Sequence, residues 1–156
     1  MNYCGYYPQD MVNGIGIRVS VFLSGCSHGC NGCFSPESHN PTHGEPVTEE
    51  FIRKLLKDTD KHYISGVSFL GGDPLHKRNY QEVINLCRRI KQGLPEKNIW
   101  LWTGYTFAEI KEDVLRRPIL DVIDVLVDGK FVQELKSTNT PFRGSSNQKI
   151  IKIKNL

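Results

Sequence analysis

Cys26, Cys30 and Cys33 stand in a C-x3-C-x2-C arrangement within Cys26-Ser27-His28-Gly29-Cys30-Asn31-Gly32-Cys33. Thiolates are natural ligands of zinc and of iron–sulfur clusters, and spacing this close lets one loop wrap one metal centre. Glycines at 25, 29 and 32 let the backbone curl around it. The informative number is three rather than four, because a cubane held by three protein ligands leaves one iron free to bind something else. Cys87 falls on the apolar face of a predicted helix and reads as a buried structural thiol. Cys4 is distant in sequence and would have to fold back to serve. His28 inside the loop, or His39 and His43 after it, would complete a Cys3His zinc site, which the spacing also permits. A simple electron carrier fits less well, since the fourth cysteine and the proline of a ferredoxin run are absent.

The elements that must position this loop follow from periodicity. Ile17, Val19, Val21 and Leu23 alternate with Arg18, Ser20 and Phe22, which predicts a first strand leading directly into the cysteines. Residues 25–46 are rich in Gly, Pro, Asn, Ser and His and read as one long loop, a length that is usually functional. A helix is expected after Thr48, burying Phe51, Ile52, Leu55 and Leu56. A second strand is expected over 67–70. The next helix is expected from about Asn79 to Gly93, with Val83, Ile84, Cys87 and Ile90 inward. A third strand covers 99–102. Thr106-Phe107-Ala108-Glu109 is a capping box opening a third helix that Pro118 stops. A fourth strand covers 122–127. A fifth, around 150–153, has the lysine-rich look of an edge strand that discourages aggregation.

Strand and helix alternate, so the expected fold is α/β with a mostly parallel sheet. A closed eight-fold barrel needs about 250 residues, and this chain has 156. An incomplete (βα) barrel, open along one side, is therefore expected. No repeat, low-complexity tract or linker interrupts it, so residues 1–156 read as a single domain.

In parallel barrels the working face lies at the carboxyl ends of the strands, and here each predicted strand ends in unusual chemistry. The first leads to the cysteines, the second to Gly71-Gly72-Asp73-Pro74, the third to Thr103-Gly104-Tyr105 and the fourth to Asp128-Gly129-Lys130. Gly-Gly-Asp-Pro alone is most often a plain turn; four such ends on one face make a pattern. Glycines would let a ligand approach the main chain, Asp73 and Asp128 could meet an ammonium or sulfonium charge, and Lys130 a carboxylate.

Composition narrows the setting. With 38% hydrophobic and 24% charged residues the chain is ordinary for a globular protein. A net charge of +3 is too small to argue for nucleic acid. No apolar run reaches the length that spans a bilayer, and the first residues lack the layout of a signal peptide. The expected compartment is the cytoplasm, where five cysteines point to metal or catalysis rather than disulfides.

C-x3-C-x2-C after a first strand, with Gly-Gly-Asp-Pro after the second, resembles the radical S-adenosylmethionine (SAM) superfamily. Tyr6-Tyr7-Pro8, Asp10, Val12-Asn13-Gly14, Gly16, Arg18 and Ser24-Gly25-Cys26 resemble the activating proteins of anaerobic ribonucleoside-triphosphate reductases. So do the blocks Trp100-Leu101-Trp102-Thr103-Gly104-Tyr105, Leu126-Val127-Asp128-Gly129-Lys130-Phe131 and Arg143-Gly144-Ser145-Ser146-Asn147-Gln148. The blocks run from near residue 3 to 148. The resemblance implies a [4Fe–4S] cluster on Cys26, Cys30 and Cys33, with SAM on the fourth iron. It implies further SAM contacts from Gly32, Cys33, Phe34, Gly71, Gly72, Asp73, Asp128 and Lys130. Many superfamily members place an aromatic just before the last cysteine; here that position is Gly32 and Phe34 follows, so Phe34 is the expected adenine neighbour, with Tyr105 behind it. Reductive cleavage of SAM would give a 5′-deoxyadenosyl radical that takes hydrogen from a glycine of the reductase. An electron donor such as a flavodoxin and a homodimer are implied as partners. The expected alternatives are activation of another glycyl-radical enzyme, such as a formate lyase, or a zinc-stabilised binding module. The 143–148 block reads equally as a polar turn or as a contact with SAM or the partner, and His76 as a helix-entry residue.

Overall fold

The computed structural model describes residues 1–33 and 36–153. In chain order these form β1 (Asn2–Asp10), β2 (Ile17–Leu23), the two-residue β3 (Glu45–Pro46), α1 (Glu49–Thr59) and β4 (Ile64–Gly71). There follow α2 (Tyr80–Gly93), β5 (Asn98–Trp102), α3 (Phe107–Glu112), β6 (Val125–Asp128) and β7 (Lys149–Lys152). Short 3-10 turns occupy Pro36–His39, Arg117–Asp121 and Gln133–Leu135.

The strands make one sheet in the order β3-β1-β2-β4-β5-β6-β7. Its centre, β2-β4-β5-β6, is parallel, whereas β1, β3 and β7 pair antiparallel at the flanks. The expected parallel sheet is thus the middle of a mixed one, and its edge strands do not pair to close it. Side chains of a strand alternate between faces, and the two faces differ. Val19, Val21, Leu23, Val67, Phe69, Ile99, Leu101 and Leu126 are buried in a common core with the helix residues Phe51, Leu55, Val83, Ile84, Cys87 and Ile90. The opposite face carries Arg18, Ser20, Ser68, Trp100, Val125 and Val127, with Phe142 folded onto the tryptophans.

The helices begin where their caps predict. Thr48 Oγ1 accepts the Phe51 N–H at 3.1 Å, and both halves of the Thr106–Glu109 capping box are formed. Asn79 precedes α2 without capping it; its side-chain amide instead donates to the carbonyls of Ser24 (2.8 Å) and Asp73 (3.1 Å). It ties two strand-end loops together.

The observed elements also depart from those expected. The third helix stops at Glu112, well before Pro118, because Asp113 turns extended and its carboxylate accepts the N–H groups of Leu115 and Arg116. Pro118 then lies within the following 3-10 turn. β1 carries no clean alternation, since register shifts between Tyr3 and Gly5 and between Tyr7 and Asp10 break its period. Pairing to β2 and the stacking of Tyr3 on Phe51, 4.0 Å between centroids, hold it in place. The lysine-rich tail is an edge strand as expected, with Lys149 and Lys152 exposed. No helix among the described residues is long and apolar enough to cross a membrane.

Candidate metal centre

The carboxyl ends of the parallel strands open onto a cavity of about 690 Å3. Cys26, Cys30 and Cys33 line it, together with Gly71 and Gly72 from the end of β4 and Thr103 and Gly104 from the end of β5. This is where open α/β sheets place their ligands. All three thiols are free and half-buried. Among the described residues no three His, Cys, Asp or Glu side chains are drawn together closely enough to hold an ion as they stand.

The cysteine loop is fixed at its root by main-chain bonds. Gly25 N–H donates to Ser38 O at 2.6 Å and Cys26 N–H to His39 O at 3.1 Å. Gly72 N–H donates to Leu23 O and Asp73 N–H to Gly25 O, both at 2.7 Å. A Cβ at Gly72 would lie 2.7 Å from the carbonyl oxygens of both Gly25 and Ser38, so only glycine lets these loops meet. Burial pushes the Cys26 thiol up to about 11, opposed by the His28 backbone N–H that faces it. A bound metal replaces that proton outright, and three thiols opening onto one cavity fit the cysteine set of an iron–sulfur cluster.

Asp73 is almost wholly buried and absorbs every donor around it. Its Oδ1 accepts from Leu75 N–H and Thr103 Oγ1, each at 2.8 Å; its Oδ2 accepts from Gly104 N–H at 3.0 Å and from His28 Nε2 at 2.5 Å. The carboxylate thus lies behind the cavity wall rather than on it, a placement that Gly-Gly-Asp-Pro did not signal.

The structure does not bring Asp128 and Lys130 to the thiols. Asp128 Oδ2 caps α3 through Phe107 N–H at 2.7 Å, and its Oδ1 accepts Lys149 N–H at 3.2 Å. With Lys130 it borders a second cavity of about 620 Å3, and Gly129 between them lines both. Gly32 packs against the Gln133 side chain, which a Cβ there would strike. Phe34 lies outside the described residues. Tyr105 is occupied by protein neighbours, the His28 ring edge-on at 4.7 Å and the Arg116 guanidinium at 4.6 Å. His76 is buried away from the cavity, and Cys4 is exposed on β1. His39 lines the cavity, and its buried Nε2 has no hydrogen-bond partner among the described residues.

The 143–148 block is both turn and wall. Gln148 Oε1 accepts from Gly144 and Ser145 N–H, its Nε2 donates to Gly129 O, and Arg143, Gly144 and Gln148 line the cavity. Sequence reasoning missed Lys136, Ser137 and Thr138, which also line it; an aperiodic loop carries no signal of where it folds.

Residues 12–151 match the family described as a 4Fe-4S single cluster domain. The chain is 45% identical over 155 residues to the anaerobic ribonucleoside-triphosphate reductase-activating protein of Pasteurella multocida, covering 98% of each chain. It is 43% identical over 150 residues to the protein of that name from Escherichia coli K12, covering 95% of this chain and 96% of the other. For the one from Enterobacteria phage T4 the figure is 42% over 150 residues, covering 96% and 93%.

Proposed function

The chain belongs to the family of anaerobic ribonucleoside-triphosphate reductase-activating proteins, and we propose on that premise that it is a radical SAM activase of such a reductase. The observation that carries this reading is the convergence of Cys26, Cys30 and Cys33 with Gly71 and Gly72 on one cavity at the strand ends. In this reading the unclosed sheet is an incomplete, laterally open (βα) barrel, and residues 1–156 are one radical SAM domain.

Cys26, Cys30 and Cys33 would hold a [4Fe–4S] cluster, leaving one iron for SAM. When bound, the pair supplies a one-electron cleavage giving a 5′-deoxyadenosyl radical that takes hydrogen from a glycine of the reductase. The chain itself supplies ligands, position and dryness. Gly71 and Gly72 offer a bare main chain to a ligand's amino end. Phe22, Leu70 and Trp102 make an apolar wall that excludes water. Asp73 orders the loops from behind that wall, while Gly129, between Asp128 and Lys130, is held by Tyr105 O and Gln148 Nε2. Phe34, one residue after Cys33, is the proposed adenine neighbour. The open edge of the sheet leaves a lateral approach for a loop of the reductase. A flavodoxin-like electron donor, a homodimer and a cytoplasmic setting complete the proposal.

The test is anaerobic reconstitution with iron and sulfide, then dithionite plus SAM. Methionine and 5′-deoxyadenosine are expected, followed by a glycyl-radical electron paramagnetic resonance signal with the reductase and none with a formate lyase. A colourless, zinc-loaded protein that leaves SAM intact would overturn the reading.

A further inference from the structure

His28 stands between the first two cysteines, and each end of it is engaged. Its backbone N–H faces the Cys26 sulfur. Its ring, almost wholly buried, meets Asp73 Oδ2 through Nε2 at 2.5 Å. With the carboxylate as acceptor, Nε2 is the donor in this contact. Tyr105 packs on the ring edge-on at 4.7 Å, and Gly104 lies so close that a Cβ there would overlap the imidazole. Asp73 in turn collects Thr103 Oγ1, Gly104 N–H and Leu75 N–H, so the loops after β2, β4 and β5 meet at one carboxylate.

We propose that His28 and Asp73 form a latch that positions the cysteine loop, with His28 a positioning residue for the Cys26 sulfur and Asp73 an anchor rather than a ligand of SAM. Three features of the geometry argue for it. The carboxylate's acceptor positions are filled from within the protein, leaving none directed at a ligand's ammonium group. Asp73 does not line the cavity, although its neighbours Gly71 and Gly72 do. The residue whose ring is latched is also the one whose N–H reaches a thiol, so moving the ring redirects that N–H. Groups that orient ligands in this way typically change metal affinity roughly 10- to 100-fold when removed. N–H donation to a cluster sulfur also sets the cluster's potential.

The inference rests on the three cysteines being the cluster ligands, and its test separates the two. Cluster retention is read as the rate of iron loss to a chelator from reconstituted, SAM-free protein, with the midpoint potential as a second readout. Cys26→Ala tests the ligand assignment: equal iron in this variant and the wild type overturns the cysteine reading itself. For the latch, His28→Ala and Asp73→Asn should each speed iron loss roughly 10-fold or more, and the double variant should be no worse than either single. His28→Gln, which restores a donor near the Nε2 position, should recover most of the retention. Gly104→Ala, which displaces the ring while leaving both partners in place, should resemble His28→Ala. Should a variant fold poorly, the thermal midpoint of the apoprotein supplies the same cycle: each single change lowers it by about 3 °C and the double change adds little. Wild-type retention and potential in His28→Ala and Gly104→Ala would overturn the latch. So would fully additive effects, or an Asp73→Asn protein that keeps its iron and loses only SAM affinity.

Discussion

Arg18 and Asp73 are buried charges at opposite ends of the same parallel strands, and their partners differ in kind. Arg18 sits where β2 begins, wholly buried, against neutral acceptors. Its Nε donates to Ser68 Oγ at 2.7 Å, Nη1 to Asn98 Oδ1 at 2.7 Å and Ile15 O at 3.1 Å, and Nη2 to Val67 O at 2.9 Å. The Trp100 ring lies 5.6 Å from the guanidinium. Burial pulls its pKa down to about 10, with Asp124 and Asp10 pulling back, so it stays charged at neutral pH. The guanidinium fork joins β2, β4 and β5 and so fixes their register. Asp73 joins no strands. It takes donors from three loops, one of which carries the cysteines. One end of the sheet uses its buried charge to join strands, the other to join the loops around the cavity.

The sharpest separation of the two ends comes from the thiols. Alanine at Cys26, Cys30 or Cys33 should reduce bound iron to background and abolish SAM cleavage. The apoprotein's urea unfolding energy should stay within about 0.5 kcal/mol, as for other substitutions of partly exposed residues. Cys87→Ala should do the reverse, keeping the iron while its fully buried position in the core loses about 1 kcal/mol.

Arg18→Met should come next, with an effect confined to architecture. It strands acceptors on Ser68, Asn98 and Val67, and the expected loss is about 3 kcal/mol of unfolding free energy. The two tryptophans of the chain, Trp100 and Trp102, stack on one another at 5.7 Å on this face of the sheet. Their fluorescence therefore reports the change directly. Folded Arg18→Met protein at low temperature should still take up iron; if it does not, the two ends are coupled and the contrast fails.

The same contrast explains what the sequence made legible. The alternation in β2 and the helical spacing of Val83, Ile84, Cys87 and Ile90 reflect one apolar core, and both are observed. The cysteine loop and the two glycines announced themselves by residue type and lie on one cavity. What stayed hidden depends on contacts between residues far apart in the chain. Asp128 reads like a ligand-facing acid until the N–H of Phe107 is seen to claim it. His28 reads as a candidate zinc ligand until Asp73, 45 positions away, is placed beside it. β1 escaped because its bulges erase the period that identifies a strand.

A smaller effect probes how much of the junction Thr103 holds. Its hydroxyl donates to Asp73 and accepts Tyr105 N–H at 3.2 Å. Thr103→Val keeps the shape and removes one donor from a buried carboxylate, costing about 1–2 kcal/mol. Iron loss should quicken less than in His28→Ala, because the histidine contact survives. An iron-loss rate above that of His28→Ala would transfer the main positioning role from the histidine to the threonine.

The smallest predicted effect is a pH dependence that belongs to the carboxyl end alone. His76, just beyond Asp73, is buried; its N–H donates to Asp73 O, and its Nδ1 accepts Arg78 N–H at 3.2 Å. Burial holds its pKa below the ordinary 6.5, with Lys77, Arg78 and Arg116 pressing the same way and Asp73 opposing. A depressed folded value means that the unfolded chain takes the proton first. Stability is therefore full above the ordinary value and declines as pH falls through it towards the folded one. Arg18 does not titrate in that range. Asp10 beside it, where burial pushes upward but hydrogen bonds from Ser20, Val12 and Asn13 prevail, titrates lower still. The apoprotein's unfolding midpoint should therefore fall modestly between about pH 7.5 and 5.5, and His76→Gln should flatten that slope. An unchanged slope in His76→Gln would overturn the assignment of this acid sensitivity to His76.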